Sequence, residues 1–175
     1  IIEEPEAPNF QEAANFQATL WLGEFRRTGG EAISKENDPD SNFIYSQMSR
    51  RCPDTSLEKF MDSLQQRARI SREWNNFFDK YPIILCPITG DIPFPDLKDL
   101  ESEESFDLVF DSMLPQIAPP YMGLPGLSFA TSQTKQKIPL GVQFISRKFR
   151  EDLLLNVAYD LENYYPKIEP VLPSF

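Results

Sequence analysis

The sequence predicts an α/β fold: a mixed β-sheet covered by helices on both faces. Three observations carry this. Ile83 to Ile88 is a continuous apolar run, the pattern of a strand covered on both sides. Leu127 to Thr131 and Leu140 to Ser146 are two apolar runs rich in β-branched and aromatic residues, flanking the polar connector Ser132 to Lys137, as a strand pair reads. Three long stretches before, between and after these runs carry apolar residues at helical spacing.

Taken in order, Ile1 and Ile2 read as a strand end or lead-in, and Pro5 and Pro8 impose an extended approach. Asn9 with Glu12 forms an Asn version of the capping box. The helix it opens runs to about Arg27, with Phe16, Leu20 and Trp21 on one face, and Gly29 and Gly30 stop it. Lys35 to Asn42 is polar, contains Pro39, and reads as a loop. Phe43, Ile44, Gln47 and Met48 then form a short helical face ended by Cys52-Pro53. Thr55 and Glu58 predict a second capping box. Its helix carries Leu57, Phe60, Met61, Leu64, Ala68, Trp74, Phe77 and Phe78 at helical spacing. Arg67, Arg69 and Arg72 are interleaved with Glu58, Asp62 and Glu73, so they read as a solvated face rather than a phosphate site.

Pro82 ends that helix and the apolar strand follows. Thr89 to Pro95 is a Pro/Gly loop leaving the strand's C-terminal end, where α/β sheets usually bind ligands. Asp96 to Asp107 is acidic and without periodicity past Leu100, which predicts a surface excursion. Phe106, Val109, Phe110, Met113 and Leu114 predict one more helix, and Pro115, Pro119 and Pro120 lead on to the strand pair. Gly123, Gly126 and Gly141 permit sharp turns or close backbone approach there. Gln143 is a lone amide among apolar neighbours and needs partners if buried. A last helix spans about Arg150 to Tyr165, with Leu153, Leu154, Val157, Ala158 and Leu161 as its inner face; Pro166 ends it, before a tail holding Pro170 and Pro173. No internal repeat and no composition break divides the 175 residues.

A net charge of −10 argues against nucleic acid or an anionic membrane as a partner. No apolar run reaches the ~20 residues of a membrane span. The chain opens Ile1-Ile2-Glu3-Glu4, with neither a basic leader nor an initiator Met, the expectation for a processed product or a fragment. No histidine occurs, which removes Ser-His-Asp and Cys-His catalysis and every His-containing metal site from this chain. Two cysteines do not make a disulfide scaffold and fit a reducing, cytoplasmic compartment. Cys86 lies in the apolar run without a base and reads as structural. Asp91 and Asp96 sit on the loop after the strand, as loop carboxylates commonly do. Gly123-Leu124-Pro125-Gly126 lacks the Lys-Ser/Thr pair of a phosphate loop.

Several of these motifs, in this order, resemble the C-terminal part of the amidase signature family. Trp74-Asn75-Asn76-Phe77-Phe78 leads into Tyr81-Pro82-Ile83-Ile84-Leu85-Cys86-Pro87-Ile88-Thr89; then come Gly123-Leu124-Pro125, Pro139-Leu140-Gly141-Val142-Gln143, and Glu151-Asp152-Leu153-Leu154-Leu155. The resemblance covers roughly Thr55 to Leu161. The chain departs from the family at Pro82, where Asp is usual, at Cys86-Pro87-Ile88-Thr89, which replaces Thr-Pro-Thr, and at Ala130-Thr131, where a Pro often follows. The resemblance implies one domain's C-terminal portion: residues 1–54 a helical lead-in, 55–165 the helix, strand, loop, strand pair and helix, 166–175 a tail. It implies hydrolysis of a carboxamide C–N bond to acid plus ammonia or amine, without metal or other cofactor.

In that family the chemistry rests on two serines, in an upstream Gly/Ser-rich segment, and a lysine. No such segment occurs here, and Ser128 and Ser132 lack its context. The resemblance therefore implies no catalytic residue in this chain. It implies a pocket wall at Ile88, Thr89, Gly90, Ile92 and Gly123, a small-molecule amide substrate, and an N-terminal catalytic half as partner. A second copy of the chain is a further candidate partner. A competing reading is a non-catalytic, amidase-derived binding or scaffold module, which predicts a sharp, independent unfolding transition without dye binding. A third is the amidotransferase component for misacylated tRNA, against which the acidic balance and the Cys86-Pro87-Ile88-Thr89 departure weigh.

Overall fold

In the computed structural model, which describes residues 2–165, four helices precede the first strand, two more separate it from a strand pair, and a last helix follows. Helix α1 (Phe10–Thr28) begins where Asn9 Oδ1 accepts the Gln11 N–H at 2.8 Å. Glu12 does not reach back to complete a capping box; it pairs with Arg69 instead. The inner face of α1 is Ala13, Ala14, Gln17, Leu20 and Leu22, while Trp21 stays 46% exposed. Gly29 caps α1, but Gly30 opens α2 (Gly30–Glu36) instead of extending a stop.

The expected loop from Lys35 to Asn42 contracts to two residues. Asn37 ends α2 in the left-handed region, Asp38 accepts the Ser41 N–H at 2.8 Å, and Pro39 is the first residue of α3 (Pro39–Arg51). Proline suits that position because its missing N–H would be unpaired there anyway. Arg50 and Arg51, in the last turn of α3, bind Asp107, and the Arg51 guanidinium sits 4.5 Å from the Phe110 ring centroid.

Helix α4 (Leu57–Lys80) is capped by Ser56, which accepts the Lys59 N–H at 3.3 Å, one residue later than Thr55. Its apolar stripe divides. Ile70, Trp74 and Phe78 are buried, whereas Leu57, Met61 and Leu64 remain exposed. The arginines of its outer side are not merely solvated: Arg69 joins Glu12 and Glu73, and Arg67 lies over the Tyr121 ring.

Strand β1 (Ile83–Pro87) pairs antiparallel with β3 (Pro139–Ser146), which pairs antiparallel with β2 (Gly126–Gln133). The α/β class holds, and every pairing among the described strands is antiparallel. β3 is central. β1 is an edge strand among the described residues, and its continuous apolar run is not covered on both faces: Leu85 is 55% exposed. Side chains alternate across the sheet. Ile84 and Ile145 enter a core with Trp74, Phe78, Ile117 and Tyr121. Leu127 and Phe144 take the opposite side, where α7 (Glu151–Glu162) packs against β2 and β3. Leu154 is the fully buried residue of α7.

Two further segments differ from expectation. The acidic stretch becomes a single 3-10 turn (Lys98–Leu100) and then α5 (Glu103–Ser112), because Ser102 accepts the Ser105 N–H at 3.1 Å and Glu103 and Glu104 suit the positive end of the helix. The proline-rich lead to the strand pair becomes α6 (Leu114–Met122), with Pro119 and Pro120 inside it. Gly123, at φ 68°, ends α6 in the conformation glycine adopts most easily. Ile2 is exposed and outside any strand. Ile1 and the tail from Pro166 lie outside the described residues.

Candidate functional site

The tandem prolines of α6 create the first functional feature. A helical carbonyl accepts the N–H four residues on. Pro119 and Pro120 have none, so the carbonyls of Pro115 and Gln116 lose those partners. Gln143 Nε2, on the core face of β3, donates to Pro115 O at 2.9 Å. The lone amide singled out in the sequence is thus buried, its Nε2 has a partner, and it ties the sheet to α6. Cys86, Gln143 and Ser128 form one row across the three strands. Burial pushes the Cys86 thiol up, and its 3.7 Å contact with Gln143 Nε2 only partly opposes this. A protonated thiol without a base is no nucleophile.

Beside this row, between the sheet and α6, lies a hollow of about 330 Å³, walled by Ile88, the α6 prolines and Leu124, with Gly126, Ser128 and Gln143 on its floor. A larger hollow, about 770 Å³, opens on the other side of α6, between α1, α3 and α5. Ala14, Leu22, Ile44, Met48, Phe110 and Ile117 give it an apolar interior. Gln116 lines both hollows. Sequence reasoning missed the larger one because it needs α3 and α6 as complete helices. The small residues Ala14 and Ala18 on α1 were the available signal.

Of the five expected wall residues, Ile88 lines the small hollow, and its carbonyl accepts from Gln116 Nε2 at 3.1 Å. The other four line neither hollow. Thr89 Oγ1 donates to the Asp91 carbonyl at 2.6 Å, closing the loop on itself. Gly90 N–H donates to Ser112 O at 2.7 Å, which docks the loop on the end of α5. Ile92 is 55% exposed, and Gly123 sits at the α6 terminus beside the Lys148 side chain. Among the described residues no group of three or more acidic or cysteine side chains is placed to hold a metal, and no helix is long and apolar enough to cross a membrane.

The family model for amidases matches residues 26–155, which include α3 to β3 and both flanks of the small hollow. The chain belongs to the amidase family. An indoleacetamide hydrolase of Bradyrhizobium diazoefficiens is 29% identical over 133 residues, 75% of this chain and 25% of that protein. A glutamyl-tRNA(Gln) amidotransferase polypeptide of Treponema denticola is 33% identical over 96 residues, 55% of this chain and 19% of that protein. The chain thus spans about a quarter or less of the amidase relatives it matches. Among solved structures, 6-aminohexanoate cyclic dimer hydrolase complexed with substrate superposes with a TM-score of 0.63 at 19% identity, over 94% of this chain and 38% of that one. A crystal structure of an amidase gives 0.69 at 14% identity, over 90% and 36%. These likenesses establish the amidase fold for this segment, as the order of its motifs implied.

Proposed function

We propose that this chain builds one wall of the substrate pocket of an amidase that hydrolyses a carboxamide C–N bond to acid plus ammonia or amine. The observation that carries the reading is the family match over residues 26–155, which takes in the small hollow and the α3, α5 and α6 walls of the larger one. The apolar hollow suits an acyl group by its lining. The loop with Ile88, Thr89, Gly90 and Ile92, together with Gly123, forms the adjoining rim.

The nucleophile comes from other residues. This chain has no histidine, and Cys86 stays a thiol. In this reading the 175 residues are part of a single domain whose two serines and lysine lie in further sequence, the protein is cytoplasmic, and its substrate is a small amide.

Ammonia release tests the division of labour. The chain alone is expected to release none from indole-3-acetamide, acetamide or benzamide. A chimera in which residues 26–155 replace the matching segment of the Bradyrhizobium indoleacetamide hydrolase is expected to turn over at least one of them. Turnover by the chain alone, or a folded chimera inert on every amide, overturns the proposal.

A further inference from the structure

We infer that α3 is a lid over the large hollow, latched shut by the ion pairs of Arg50 and Arg51 with α5, so that ionic strength sets how readily an apolar molecule enters. The hollow of about 770 Å³ has four helical walls, and three of them are rooted in the core. Ala14 and Leu22 of α1, Phe106 of α5 and Ile117 of α6 line it and are buried. The fourth wall is α3, which contributes Ile44 and Met48, one turn apart. None of the thirteen residues of α3 is buried, so it is an outer layer among the described residues. Buried apolar area fixes the other walls in place. α3 has little of it.

What α3 has instead is charge. Glu103, Asp107 and Asp111 recur every four residues, which sets them in one row along α5. Arg50 reaches Asp107 at 2.6 Å and Glu103 at 3.2 Å. Arg51 reaches Asp107 at 2.8 Å and also Asp111, with its guanidinium over the Phe110 ring. Arg51, Phe110 and Asp111 all line the hollow, and the Asp111 side chain is 62% exposed, so the latch stands where the hollow meets solvent. Non-helical links flank α3: Asn37 and Asp38 before it, Cys52 to Ser56 after it. Short links of this kind absorb the backbone rotation of a hinge. Each has a fixed point. Tyr45 rests on Gly30, where a Cβ would lie 2.7 Å from its Oη, and meets the Phe25 ring edge-on. Arg26 of α1 donates to Cys52 O and pairs with Asp54 at 3.8 Å, both on the second link. Solvent-exposed ion pairs are weak singly and are screened by salt, whereas apolar packing is not. Salt therefore loosens α3 while α1, α5 and α6 stay closed on the core.

As regulation of the pocket proposed above, the lid rests on that reading; as a gate on an apolar hollow, it is tested without any hydrolysis. The probe is Nile red, neutral and apolar, mixed with the full chain in a stopped-flow fluorimeter. Raising NaCl from about 0.02 M to about 1 M shortens the screening length to about 3 Å and is expected to speed uptake about three- to tenfold. Amide exchange is expected to quicken with salt in α3 and to stay unchanged across Ile70 to Phe78 of α4, a contrast that general destabilisation would not give. Arg50→Gln with Arg51→Gln is expected to take up dye quickly at low salt and to lose the salt dependence. Lys35→Gln, which breaks the exposed Glu31–Lys35 pair on α2, is expected to behave as the parent. Ile44→Trp fills the hollow from the α3 side and is expected to abolish uptake. Salt-independent uptake and exchange in the parent overturn the lid, and this reading needs no variant to fold. Parent-like uptake by the double variant or by Ile44→Trp overturns it as well. None of these outcomes bears on ammonia release by the chimera, so the two proposals fail separately.

Discussion

Replacing Gln143 by Met keeps the side-chain length and removes the donor to Pro115 O. That carbonyl has no helical partner to fall back on, because residue 119 is proline. Leaving a buried acceptor unpaired costs about 1–3 kcal/mol. For a chain of this size each kcal/mol lowers Tm by about 2–4 °C, so a loss of about 2–12 °C is expected. The decisive measurement is a double-mutant cycle with Pro119→Ala, by urea unfolding. Alone, Pro119→Ala supplies an N–H to a carbonyl already bonded, and it also loosens the unfolded chain. In the Gln143→Met background the same N–H finds Pro115 O vacant and closes the missing helical bond. The two changes are therefore expected to couple by about 1–2 kcal/mol in the restoring direction. Additivity within about 0.5 kcal/mol would refute the account of α6, because independent sites behave that way.

Three further outcomes follow from the same structure. A Cβ on Gly141 would lie 2.8 Å from Phe129 O and 3.0 Å from Ile88 Cδ1, so Gly141→Ala is expected to cost about 1–3 kcal/mol, whereas Gly126→Ala is close to neutral; urea midpoints check the contrast. Arg51, and then Arg50, hold the Asp107 carboxyl below its ordinary range by hydrogen bonding, so its folded pKa lies under its unfolded one. The stabilisation is then complete above the unfolded value of about 3.9 and is lost as pH falls through the lower folded value. Urea midpoints measured downward from about pH 5 should fall less steeply in Arg51→Gln than in the parent, and an unchanged slope would remove the α3–α5 ion pairs from the account. Burial that raises the Cys86 thiol predicts slow alkylation by iodoacetamide in the native chain at about pH 8 and fast alkylation in urea, read by mass spectrometry; rapid native labelling of Cys86 would contradict it.

The strands and the long helices were legible because their signals are local. Ile83 to Pro87 and the pair around Ser132 to Lys137 carry strand composition, and α4 carries an unbroken helical period. The amidase fold was legible in the order of motifs rather than in any one of them. What failed depended on single residues or on distant partners. Pro39 read as a breaker because its place as the first helical residue depends on Asp38 capping the helix. Pro119 and Pro120 read as non-helical because the compensating donor, Gln143, lies more than twenty residues away on β3. Leu57, Met61 and Leu64 read as core because periodicity shows that a face is apolar and not whether anything covers it. Of the five candidate wall residues, Ile88 lines the small hollow, while the loop beyond it folds onto α5 through the Gly90 N–H, a contact between distant segments that no local pattern announces.

The hairpin contains one irregularity: Ala130 faces Gly141 and Ser132 faces Leu140, so Thr131 is an extra residue with no opposite number. Its Oγ1 fastens to the Leu140 carbonyl at 3.3 Å. Such a bulge separates the phase of the two ends of a hairpin. Below it, the alternation that puts Ser128 and Gln143 on one face is set by pairing with Gly126 to Phe129; above it, the tip from Thr134 to Lys137 follows its own count. The tip is therefore free to gain, lose or exchange residues over evolutionary time while that row stays in place. Related chains should vary most in length at this tip and least in the residues beneath Thr131.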